Sequence, residues 1–514
     1  MNYADLFRAT LPETALEIAA LVVIVIDLTV LRKAALRARA AVAALLGVAG
    51  CVAGLWMLQL QGTAGFSYGG ALVLSGGGSA AVAEAAILVL TGLTLLLLVD
   101  STFTRHVGEY VAVVLMAAAG GLLISAAQDL IVIFIGLELL SLGLYILTAF
   151  AKTSGKSAEA AIKYYLFGGM SAAFLLFGFS YLYGLTGSTN LHDIMQATLW
   201  TNIAQSAMPL LYVAVVMITA GLGFKVAAAP FHLWAPDTYE GAPAPGAAFV
   251  ASVSKVASFA LLIAISTAAL HIFDNTAAAA QTAAHGCAAA APQYLGFGSP
   301  WFTILAIFAV VSMVLGNLAA LVQSSVRRLI AYSAIAHAGY ILIGLAYFSY
   351  APRSTEALLY YVVTYGLTTV GAFAVVDVVE AATGSDRMDA FLGLHKRNPM
   401  LAAVLLVLFL SLAGIPPLVG FWAKFNLFAA VLEVSAGVVP FTLVAIAIAM
   451  SAVSLYYYLQ VLKRAYVMPS IEESPLRIRP ATLIVLVAVA LAVLLLGCFP
   501  ALLGGWINGF FPAI

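Results

Sequence analysis

The chain has 514 residues, of which 64% are hydrophobic and only 9% charged, with 22 basic and 22 acidic side chains. A soluble domain carries about 25% charged residues, so the composition excludes a soluble globular fold and describes a polytopic membrane protein. The formal net charge is zero, which leaves no bulk attraction for nucleic acid.

The N-terminal stretch MNYADLFRATLPETALEIAALVV has acidic residues ahead of its apolar run and no small-residue cleavage site, so it reads as a retained first span rather than a signal peptide. A helix needs about 20 apolar residues to cross the hydrocarbon. On that length the chain divides into fourteen spans: 13–31, 40–60, 79–99, 108–126, 130–150, 162–185, 207–229, 244–270, 301–323, 329–349, 356–380, 400–434, 440–462 and 481–508. The seventh runs into Pro230-Phe-His232-Leu-Trp-Ala-Pro236, and the long twelfth is interrupted at Gly414-Ile-Pro416-Pro417. Cys51, Cys287 and Cys498 are far apart and without CxxC pairing, so no iron–sulfur or zinc site can be drawn from them.

Cytoplasmic loops carry an excess of Lys and Arg. Seventeen of the 22 basic residues fall in loops 1–2, 3–4, 5–6, 9–10, 11–12 and 13–14. The alternate loops and both tails hold only Arg8 and Arg353. Both termini are therefore expected in the periplasm, together with the loops 61–78, 186–206 and 271–300, which hold no Lys or Arg.

The two proline-interrupted spans are five helices apart, and a tandem unit of five must invert its orientation. The expected fold is all-α and polytopic, with about 14 transmembrane helices and two inverted five-helix repeats, each holding a broken helix. The expected divisions are an N-terminal three-helix segment at 1–107, a first repeat at 108–270, a second at 301–463, and span 14 within 464–514. Transporters place their sites where such discontinuous helices break. Pro230 frees the carbonyl of Val226, four residues earlier, and Pro416 and Pro417 free those of Leu412 and Ala413. Each break has a lysine nearby, Lys225 and Lys424.

Ionisable residues inside spans are expensive, roughly 2.5–3.5 kcal/mol each at mid-membrane. Four stand out: Glu138, expected to be buried, and Lys225, Lys255 and Lys424. His337 joins them because a histidine titrates near neutral pH and suits a proton relay. Glu138 and Lys225 share a depth in spans 5 and 7 and are expected to pair. Asp129, Glu109, Asp377 and Glu380 read as interfacial. Asp27 is deep, but span 1 lies outside the repeats, so a partner contact is as good a reading as a functional role. His192, His271 and His285 lack metal-ligand spacing.

GLGFKVAAAPFHLWAPDTYEGAPAP (221–245), GNLAALVQSSVRRLIAYSAIAHAGYILIG (316–344) and SLAGIPPLVGFWAKFNLFAAVL (411–432) resemble signatures of the antiporter-like membrane subunits of respiratory complex I. PDTYEGAP is similar to the subunit N family of proton-translocating NADH:quinone oxidoreductase, where subunits L and M usually differ. The resemblance covers the chain from about residue 100. It implies a proton path through Glu138, Lys225, the bridging Lys255, His337 in the HAGY segment, and Lys424 nearest the exit. It also implies that flavin, iron–sulfur clusters and quinone reside in partner subunits and none in this chain. The partners would be other membrane-arm subunits and the lipid bilayer, with the chain in a bacterial inner membrane. A cation/proton antiporter subunit on the same repeat is the second reading, and a passive spacer the third. PDTYEGAP argues against the former and the four intramembrane charges against the latter.

Overall fold

The computed structural model describes residues 7–61, 66–68, 72–74, 77–196, 208–285, 300–348, 352–434, 437–470 and 474–510. Among the described residues, twelve helices are each long and apolar enough to cross a membrane. Span 1, Leu11–Thr29, adds another, its apolar run carrying Glu13, Glu17 and Asp27. The interrupted pair Pro399–Ala413 and Val419–Val434 forms span 12 and completes the fourteen. Beside the helices, one two-stranded antiparallel hairpin pairs Phe66–Tyr68 with Leu72–Leu74. It falls in a stretch that sequence reasoning left as plain loop.

The breaks have a common local form. Span 7 is helical from Met208 to Lys225 and resumes as the short helix Trp234–Gly241. Ala227 and Gly414 adopt left-handed backbone, with φ of 55° and 87°, and each stands three residues before a proline in a cis peptide bond, Pro230 or Pro417. Gly414 tolerates that conformation for lack of a Cβ. Span 8 has a further discontinuity that its composition does not announce. It begins as Ala244–Ala251, turns at Ser252, and continues as Val253–His285.

Burial is strongly uneven. Spans 8 and 10 are buried over 94% of their apolar windows, whereas span 13, Val438–Tyr466, is buried over 28%. The central helices are thus spans 3, 4, 8, 10 and 11, and the outer ones present apolar side chains outward.

Spans 3 and 14 are tied together. Asp100, after span 3 (Gly78–Leu98), accepts hydrogen bonds from the backbone N–H and hydroxyl of Thr482 at 2.8 and 2.9 Å. Thr482 lies in the first turn of span 14, Pro480–Cys498. The Arg479 guanidinium donates to the Asp100 carbonyl. Trp422 of span 12 donates from its indole to Gly497 in span 14 at 2.9 Å.

Candidate functional site

Each helix break strands carbonyl oxygens, and an unsatisfied backbone group costs several kcal/mol in hydrocarbon. Lysine amines occupy them. Lys255 of span 8 donates to the Val226 carbonyl, the one Pro230 sets free. Lys424 donates to Leu412 at 3.1 Å and Ala413 at 3.0 Å, the two carbonyls lost to Pro416 and Pro417. A third bond runs from Lys424 to Ser451 Oγ in span 13 at 2.7 Å, and its ammonium lies 5.1 Å from the centre of the Tyr340 ring. Lys225, Lys255 and Lys424 are 8%, 1% and 6% exposed.

Around the first break, other polar groups complete the accounting. The Ala229 N–H donates to Ser312 Oγ of span 9 at 2.8 Å, and the Trp234 indole donates to the Phe224 carbonyl at 3.0 Å. Lys225 itself turns away from the break toward span 5. Its amine donates to Ser141 Oγ at 2.5 Å, and that hydroxyl donates onward to the Leu137 carbonyl.

Two expectations need correction here. Lys225 does not form an ion pair with Glu138 among the described residues; it binds Ser141, one helical turn further along the same span. Glu138 is also only half-buried. It sits on the stripe of span 5 that carries Ile131, Ile135, Leu142 and Ile146, which are 48–57% exposed. Helical geometry puts residues at such spacing on one face, so Glu138 lies on the partly exposed face of span 5 at mid-span.

In the second half, His337 is 4% exposed and its Nδ1 lies 2.9 Å from the Tyr361 hydroxyl. Its Nε2 is buried without a hydrogen-bond partner among the described residues. A small cavity lies between the ring and span 12, bounded by Tyr365, Thr368, Ser411 and Leu412. It leaves about 10 Å³ for the centre of a water molecule, roughly enough for one. Leu412 supplies both a wall of this cavity and a carbonyl to Lys424.

The remaining candidates are structural. Asp129 is a buried N-cap, accepting from the backbone N–H groups of Ile131 and Val132 and from the Thr189 hydroxyl at 2.6 Å, rather than an interfacial residue. Asp27 receives both Arg39 donors, at 2.8 and 2.7 Å, which ties span 1 to span 2 within the chain. Glu380 pairs with Arg327 at 2.6 Å. Half-exposed Glu109 pairs with His106 at 3.1 Å. Cys51 is a buried free thiol and Cys498 an exposed one. Cys287 and the His285 side chain lie outside the described residues. No group of three or more metal-ligating side chains assembles among the described residues.

Sequence reasoning missed two features. Glu13 in span 1 and Glu84 in span 3 are buried carboxyls, 7% and 5% exposed, hidden near span ends where acidic residues ordinarily face water. The second is a charged cluster built from the PDTYEG segment. Asp237 pairs with Lys163 and Arg328 at 2.8 and 2.7 Å, and Glu240 with Lys156 and Arg328 at 3.0 and 3.1 Å. Partial burial pushes both carboxyls up, but the basic partners outweigh it and hold each below the ordinary carboxylate range. The charge alternation of this segment with the basic loops was the available signal.

The family model described as NADH:quinone oxidoreductase/Mrp antiporter, TM, matches residues 127–279 and 266–451. NADH-quinone oxidoreductase subunit N 2 of Acidobacterium capsulatum is 47% identical, with 99% of each chain covered. The chain belongs to the subunit N family of NADH-quinone oxidoreductases. Subunit N of an Anaeromyxobacter species is 35% identical over 95% of this chain and 93% of that one. A chain of respiratory complex I from Thermus thermophilus superposes with a TM-score of 0.74 at 32% identity, covering 96% of this chain and 98% of that one. A chain of an archaeal membrane-bound sulfane sulfur reductase reaches a TM-score of 0.80 at 22% identity, covering 97% and 96%, which is a likeness of fold. Membership of the subunit N family agrees with the PDTYEGAP signature and with the fourteen-span architecture.

Proposed function

We infer that this chain is a proton-translocating membrane-arm subunit of a respiratory NADH:quinone oxidoreductase, and that Glu138, Lys225, Lys255, His337 and Lys424 carry the protons. One observation supports this most: the carbonyls released at both broken helices are held by intramembrane lysine amines, Lys255 on Val226 and Lys424 on Leu412 and Ala413. A protonated amine is a three-way donor with no acceptor. Its hold on the carbonyls weakens when the proton leaves, because the neutral amine loses its charge and one of three N–H donors, so each break couples a proton to a helix end.

In this reading a proton enters on the Lys225 side, passes Lys255 and His337, and leaves by Lys424. Electron transfer takes place in partner subunits, which hold flavin, iron–sulfur clusters and quinone, and drives the path through neighbouring membrane subunits. The place of Glu138 on the partly exposed face of span 5 supports this coupling, because a charge at mid-span on an apolar face needs a protein neighbour. The division into repeats at 108–270 and 301–463, flanked by 1–107 and 464–514, is supported by the similar left-handed turns five spans apart. The loop bias supports a periplasmic location for both termini in a bacterial inner membrane.

The test is the assembled complex in proteoliposomes, with Lys424→Met or Lys225→Ala in this chain. Protons moved per NADH oxidised should fall in each while the complex still assembles. Native pumping in both variants removes the proposed role.

A further inference from the structure

Buried polar atoms in native proteins nearly always have a hydrogen-bond partner. Among the described residues, the orphans include the Tyr365 hydroxyl of span 11, His337 Nε2 of span 10, and Ser258 Oγ of span 8. Tyr365 is 6% exposed, and its ring centre lies 4.9 Å from that of His337. Both side chains line the same water-sized cavity against the span 12 break.

Span 11 also packs on the first half: a Cβ added at Gly366, next to Tyr365, would stand 2.9 Å from Leu90 of span 3 and 3.6 Å, an ordinary contact, from Ser252 and Val256 of span 8. Val256 follows Lys255, and Ser258 lies one turn beyond it. Span 11 thus touches both span 8, which carries Lys255, and the His337 ring of span 10.

We propose that the Tyr365 hydroxyl is a relay between Lys255 and His337, working with water in the cavity it lines. This rests on the proton path proposed above and names the step that joins its halves. The hydroxyl oxygen takes up a proton delivered from the Lys255 side, by way of water near Ser258. Its own O–H proton passes to His337 Nε2, the lone acceptor on that ring when Nδ1 carries the other hydrogen. Only O–H and N–H bonds are made and broken, and no oxidant or reductant is involved. A hydroxyl suits the task because it accepts and donates through one atom.

The experiment uses the whole complex in proteoliposomes with Tyr365→Phe, which keeps the ring against His337 and removes only the hydroxyl. Assembly should match the native complex, while the proton-transfer rate at matched driving force falls by about tenfold or more. The remaining turnover should gain a larger solvent deuterium effect. Native pumping with an unchanged deuterium effect overturns the relay. Lys424→Met separates the two readings: if it stops pumping and Tyr365→Phe does not, only the relay fails; if both pump natively, the path fails as well. Should Tyr365→Phe not assemble, density for the native complex decides. A water within about 3.2 Å of both Tyr365 Oη and His337 Nε2 supports the relay, and a dry cavity overturns it.

Discussion

The amine of Lys424 is positioned by the shape of Gly414. With φ at 87°, this glycine turns the chain so that two carbonyls point at one ammonium. A Cβ added there would stand 3.0 Å from Lys424 Cδ and 3.2 Å from Nζ. Gly414→Ala therefore combines left-handed strain of roughly 1–2 kcal/mol with displacement of the amine. The expected outcome is an assembled complex with markedly reduced pumping, measured as protons per NADH in proteoliposomes. Ala227→Gly relieves the corresponding strain at the first break and should leave both assembly and pumping near native. Glu138→Gln probes a different contact. Glu138 lies on the partly exposed face of span 5, so losing its charge should weaken coupling to the neighbouring subunit more than it disturbs this chain's own packing. Reduced pumping with an unchanged melting temperature of the isolated chain is expected, and a large loss of stability would contradict that placement. At this scale the sequence was informative about acceptors: the freed carbonyls of Val226, Leu412 and Ala413 follow from proline chemistry alone. The donor for Val226 was not legible, because Lys255 reaches it from another helix, 29 residues away in the chain. Nor was the exposure of Glu138, which depends on how span 5 is rotated against its neighbours.

Among the elements, the short helix Trp234–Gly241 after the first break depends on its charges. Lys156 and Lys163 of span 6, which runs Gly155–Thr186, and Arg328 of span 10, Val326–Ala346, grip it through Asp237 and Glu240. Partly exposed pairs contribute modestly, on the order of 1 kcal/mol for the cluster. Because both carboxyls sit below their ordinary range, their contribution is complete above about pH 4 and is lost as the pH falls through the lowered folded-state values. Hydrogen exchange in this helix should therefore be flat between about pH 5 and 8 after correction for intrinsic rates, and rise only in stronger acid. Asp237→Asn should raise exchange there across the whole range. The spans themselves were legible because a bilayer imposes one length on every apolar run. The turn at Ser252 was not, since no proline marks it and its hydroxyl simply bonds back to the Ala248 carbonyl at 2.6 Å.

Over the whole molecule, the asymmetry of basic residues among the loops makes a directional statement. Alkaline phosphatase fused after residue 514 should be active and the same enzyme inserted at residue 155 inactive; the opposite pattern would invert the orientation. The Asp100 clamp on Thr482 and Arg479 also has a temporal meaning. The carboxylate that receives the last long helix is made nearly 380 residues before its donors leave the ribosome. Until then Asp100 lacks the Thr482 and Arg479 donors that meet it in the folded chain. Insertion of the closing segment then seals the broken twelfth helix from behind, through Trp422 and Gly497. The contact between spans 3 and 14 thus forms late in synthesis.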